Sequence, residues 1–173
     1  PVQFVDPSAF VDDSGLLCLF FLNATGIIGD PAQCAVPPCT AFFDSATEVA
    51  GSEGTQFVLR SGHRMEYITQ TNFKPTDPDI FRSGNTYYQY ISYGSGTMVY
   101  SSNNLHGHYS LIGSLPNGYL TNNQAGVPCG LFKLPEQQFY SYGHRNTANG
   151  TEITLAKHNN FLAQAVYQTM FTG

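Results

Sequence analysis

The chain reuses one frame, and that repetition limits its architecture more than any other feature. Residues Asp6 to Phe21 (DPSAFVDDSGLLCLFF) and Asp77 to Ile91 (DPDIFRSGNTYYQYI) both open with Asp-Pro, reach Phe after an apolar residue, turn at a Gly and continue in an aromatic or aliphatic run. A looser third copy, Val127 to Tyr142 (VPCGLFKLPEQQFYSY), keeps Pro128, Phe132 and a Tyr-rich run, with Val127 in place of the Asp. Each copy is followed by a second β-rich block: AFFDSATEVAGSEGTQF, TMVYSSNNLHGHYSL and TEITLAKHNNFLAQAV. From one opening to the next, and from the last to the end, the spacings are about 71, 50 and 46 residues. A propeller blade of four short strands takes about 40 to 50.

The prediction is therefore an all-β, propeller-like single domain of about three four-stranded blades, at roughly 1–73, 74–124 and 125–173, with an insertion near residues 24 to 40. Clusters of Tyr, Phe, Val, Ile and Thr, punctuated by Ser-Gly, Asn-Gly and Pro, support strands throughout. Phe161 to Phe171 also carries a helical spacing at Leu162, Val166 and Met170, but it is read as a strand. Pro fits the first residue of a strand because it lacks a donor and fixes the direction of the chain there.

Charge narrows the partners. Only 11% of the 173 residues are charged and the net charge is −5, so there is no cationic stripe for nucleic acid. The longest apolar run, Leu16 to Leu22, is of strand length and too short to span a membrane. The opening at Pro1, without an initiator Met, reads as a processed mature chain, for which export is the simplest cause; an extracellular, secreted protein is the expectation. Four cysteines allow three pairings; Cys34 with Cys39 and Cys18 with Cys129 is preferred over a metal site. Asn23 and Asn149 open the two sequons that could carry glycan.

The Asp6-Pro7 and Asp77-Pro78-Asp79 openings, the Gly turn before YYQYIS and the strand ending in Ser plus a turn resemble the five-bladed propeller glycosidases of family 43 and their family 32 and 68 relatives. The resemblance implies a general base in the first blade at Asp6 and a carboxylate tuning it at Asp77. It also implies a general acid in a later blade, where this chain has Gly126-Val127-Pro128; Glu48, Glu136 and Glu152 are the substitutes. Calcium is the channel ion that such relatives place near a His, and no protein-built metal site is expected beside it.

Tyr93, His144 and Arg145 are the candidate carbohydrate-binding residues, Tyr93 because it follows its strand and can stack on a sugar ring. His106-Gly107-His108 reads as a solvated turn. With the acid missing, the expected function is that of a non-catalytic extracellular protein, structural and filament-forming or glycan-binding, on a degenerate glycosidase scaffold. The alternative is an active hydrolase of arabinose-, xylose- or fructose-type glycans. Three blades leave a ring open, so self-association into a homo-oligomer or filament is expected to cover the exposed faces.

Overall fold

The computed structural model describes residues 4–23, 39–60, 65–69, 76–93, 96–115, 127–133, 139–148, 150–159 and 165–172. They form thirteen strands and no helix: β1 (Phe4–Val11), β2 (Leu17–Asn23), β3 (Cys39–Glu48), β4 (Phe57–Leu59), β5 (Met65–Thr69), β6 (Thr76–Ser83), β7 (Thr86–Tyr93), β8 (Gly96–Ser102), β9 (Ser110–Leu115), β10 (Val127–Lys133), β11 (Phe139–Thr147), β12 (Gly150–His158) and β13 (Ala165–Thr172). The segment with helical spacing near the end of the chain is thus a strand. Its Tyr167, Met170 and Phe171 pair across the ladder with Lys157, Thr154 and Ile153.

The strands make three antiparallel sheets, each from consecutive segments: β1 to β5, β6 to β9 and β10 to β13. The first was expected to have four strands and has five, because its outer strand is split. β4 pairs with the second half of β3 through Ala46, Thr47 and Glu48, while β5 pairs with the first half, from Cys39 to Phe43. The Arg60 N–H donates to the Ser45 carbonyl at 2.7 Å, carrying the ladder one residue past β4.

Turn chemistry is local and legible. Between β1 and β2, the Asp12 carboxylate accepts from the Ser14 and Leu16 amides at 2.9 and 3.0 Å, and Gly15 takes a φ of 81°. Between β6 and β7 the two-residue loop begins with Gly84 at φ 59°, the left-handed region open to glycine.

The inner strands of the middle sheet, β6 to β8, pack on both faces. Ile80, Ile91 and Tyr100 pack with Cys18, Phe20, Leu22 and Phe43 of the first sheet and with Leu105. On the other face Phe81, Tyr90 and Val99 meet Phe139 of the third. This explains why YYQYI shows no polar alternation: successive side chains enter two different cores. Gln89 is buried as well.

One histidine joins the first two sheets. His106, in the loop after β8, lies with Nδ1 3.0 Å from Ser45 Oγ and Nε2 3.0 Å from Thr47 Oγ1, and its ring stacks on Phe20 at 6.0 Å. Arg60 Nε donates to the same Thr47 oxygen at 3.1 Å. The turn expected to be merely solvated is therefore a seam between sheets.

Cys18 overturns another expectation. Its thiol is free and fully buried, 3.8 Å from His106 Nε2 and 3.9 Å from Thr47 Oγ1, on the face that packs against the middle sheet. It is enclosed by these neighbours, so no bridge joins it to Cys129. The Cys34–Cys39 pairing lies outside the described residues, as does Asn149. Asn23 is half-buried and its amide nitrogen donates to Asp44 Oδ2 at 2.7 Å, which engages the atom a glycan would need.

Candidate functional site

All three opening strands carry a bulge at the same place. In β1, Val5 pairs with Leu22 and Ser8 with Phe20, so Asp6 and Pro7 together oppose Phe21. In β6, Thr76 pairs with Ser92 and Asp79 with Tyr90, so Asp77 and Pro78 oppose Ile91. In β10, Cys129 is the extra residue, between Pro128 opposite Gly143 and Gly130 opposite Tyr142. The repeat thus has a backbone cause: an Asp-Pro pair cannot serve the ladder at Pro, and the bulge absorbs it. The third copy is shifted by one residue from the sequence reading, with Cys129 rather than Val127 at the irregularity. Asp6 itself takes a φ of 52°, left-handed for a non-glycine residue.

β6 packs between β1 and β10, which brings the three openings to one axis. There a cleft of about 340 Å³ is lined by Asp6, Pro7 and Ser8 of β1, Pro78 and Asp79 of β6 and Tyr142 of β11. Ser8 and Asp79 occupy the same position after their bulges, and Ser8 Oγ donates to Asp79 Oδ1 at 2.7 Å. Asp79 is buried and Asp6 half-buried, while Tyr142 is 44% exposed. A second cleft, about 450 Å³, shares Ala9, Asp79 and Tyr142 and continues to Arg82 and Lys133. Carboxylates beside an exposed phenol ring suit a polyol: hydroxyls donate to the carboxylates and the ring packs on a C–H face.

The structure thus brings Asp6 to the cleft. Asp77 lies in the β6 bulge, and Asp79 is the β6 carboxylate that lines the cleft. Asp79 belongs to the same DPD triplet, and the bulge decides which of its residues share a face with Ser8. His144 is half-buried in β11, opposite Val127 and Ile153, and does not line the cleft; Arg145 follows it, opposite Glu152. The side chains of Asp77, Tyr93 and Arg145 lie outside the described residues. Tyr142 was not among the sequence candidates, which had Tyr93 as the sugar-stacking tyrosine.

No described glutamate lines the cleft. Glu48 is tied to the Leu17 and Gly54 amides at 3.0 and 2.6 Å, and these bonds hold its carboxyl below the usual range. Glu152 lies on β12. The carboxylates also fall short of calcium. That ion takes six to eight oxygens, whereas no group of three His, Cys, Asp or Glu gathers among the described residues.

No protein-family model and no curated protein matches the chain. Solved structures do. The GH43 β-xylosidase/α-arabinofuranosidase from a compost microbial metagenome, in complex with xylotriose and calcium-free, superposes with a TM-score of 0.63 at 13% identity over 96% of this chain and 58% of its own. An endo-1,4-β-xylanase from Bacteroides thetaiotaomicron gives 0.61 at 12% identity, over 100% and 60%. A GH43 β-1,3-galactosidase gives 0.59 at 15% identity, over 90% and 31%. The chain therefore spans between about a third and three-fifths of the length of these proteins. Its three sheets have the fold of the GH43-like β-propeller glycosidases.

Proposed function

We propose that this chain is a non-catalytic, extracellular glycan-binding protein on a glycosidase-like propeller scaffold. The observation that carries the reading is the axial cleft: Asp6, Asp79 and the exposed Tyr142 line it, and no described glutamate does. Hydrolysis with inversion needs two carboxyls about 6.5 to 9.5 Å apart, one of them an acid able to protonate the leaving oxygen. Asp79 accepts from the Ser8 hydroxyl, which fixes its carboxyl at the cleft.

Isothermal calorimetry with xylo-, arabino- and galacto-oligosaccharides tests this. Binding that weakens in Asp6→Asn and Asp79→Asn, with no release of aryl glycoside by the unsubstituted chain, is the expected result. Turnover lost in Asp6→Asn would instead establish the second reading, a hydrolase of arabinose-, xylose- or fructose-type linkages. That reading is favoured by the presence of two carboxylates on one cleft.

Self-association belongs to the same proposal. Val58 and Leu59 of the first sheet, Leu111 and Ile112 of the second and Ile153 of the third are all about half exposed and could be covered by a second copy. A structural, filament-forming role would use those surfaces, and the low charge and hydroxyl-rich composition support export.

A further inference from the structure

The end of the molecule remote from Asp6 holds a second, differently built cleft. It measures about 550 Å³ and is lined by the Asp12–Ser14 turn, Tyr87, Asn103, Asn104 and His106. Asp6 and Asp12 are six residues apart along one extended segment, which puts roughly 20 Å between the two clefts at ~3.3 Å per residue.

Four of its polar side chains are anchored by one atom and leave another unpaired. Asp12 Oδ1 accepts from the Ser14 amide, the Ser14 hydroxyl and the Leu16 amide, leaving Oδ2. Asp13 Oδ1 is paired with Arg82, leaving its own Oδ2. Asn104 Oδ1 accepts from the His106 amide at 3.0 Å and Asn103 Oδ1 from the Thr86 hydroxyl at 3.4 Å, which leaves both amide nitrogens as donors. Tyr87 is held edge-on by Phe10 at 5.9 Å and under Arg82 at 5.3 Å.

We propose that this cleft binds a neutral saccharide. Two fixed acceptors and two fixed donors around an aromatic wall match vicinal hydroxyls, each of which gives one hydrogen bond and receives another. An anion would meet two carboxylates and a single guanidinium that is already paired. The volume falls within the range of about 300 to 1,000 Å³ usual for small-ligand sites. Anchored side chains lose little rotamer freedom on binding, so even exposed groups contribute.

The test is a titration of the whole chain with xylotriose, read by protein-observed NMR. Shifts of the Ser14, Asn103 and Asn104 amides are expected, and in Asn103→Ala/Asp13→Asn these same amides should need at least tenfold more xylotriose to saturate. Both exchanged residues are exposed, and near-ultraviolet circular dichroism confirms that the variant folds. The proposal is overturned if xylotriose at tens of millimolar leaves those amides unmoved, if the double variant binds equally, or if glucuronate binds as well as xylotriose. Shifts confined to Asp79 and Tyr142 would overturn it too, while leaving the axial reading intact.

Discussion

Asp6 occupies a backbone conformation that most side chains avoid, and its own chemistry makes it tolerable there. Asp and Asn enter the left-handed region more readily than other non-glycine residues, because the short polar side chain bonds locally. Asp6→Ala should therefore destabilise the chain by about 1 kcal/mol, the low end of the cost of such a conformation. Asp6→Asn should be nearly neutral; chemical denaturation of both variants checks this. Glu48 gives a pH signature. Its carboxyl is held below its ordinary 4.5 by two backbone amides, so the stability it adds is complete above that value and is lost as pH falls through the lowered one. Asp12 is lowered from 3.8 by the Ser14 hydroxyl and acts in the same direction. Acid unfolding of Glu48→Gln should accordingly be less steep between about pH 5 and 3 than that of the parent chain.

Between elements, the seam at His106 is the contact most open to attack. Removing the imidazole in His106→Ala takes one hydrogen bond each from the buried Ser45 and Thr47 hydroxyls, a loss of about 2 kcal/mol measurable by thermal unfolding. Cys18 beneath it is shielded, and burial pushes its thiol up. A thiol reagent should label Cys18 only after denaturation, and labelling of the native chain at the same rate would contradict the enclosed position. Much of this level was legible in sequence. The Asp-Pro openings, the Gly turns and the Tyr-rich runs located three hairpins, because each depends on local dihedral preferences. The bulge register was not legible, since one inserted residue changes which side chains share a face without changing composition; that Asp79 of the DPD triplet lines the cleft could not be read from the sequence. His106 was also misread, because a histidine that crosses from one sheet to another leaves no local pattern. Nor could the spacing of Cys18 show that its strand turns it into an interface.

At the level of the molecule, the inner strands of the middle sheet are covered on both faces by the neighbouring sheets, while its outer strand β9 leaves Leu111 and Ile112 about half exposed. The chain spans 58 to 60% of two of the glycosidases it superposes on. Static light scattering at micromolar concentration should give a mass above that of one chain, and Leu111→Asp/Ile112→Asp should reduce it. A monodisperse single-chain mass for the parent would remove the self-association proposal.

The divided outer strand of the first sheet then decides how copies can meet. Its two described segments run for three and five residues, and short edge strands are a known guard against lateral growth. The outer strands of the other two sheets, β9 and β13, run for six and eight residues, so any strand-to-strand growth between copies would start from those margins.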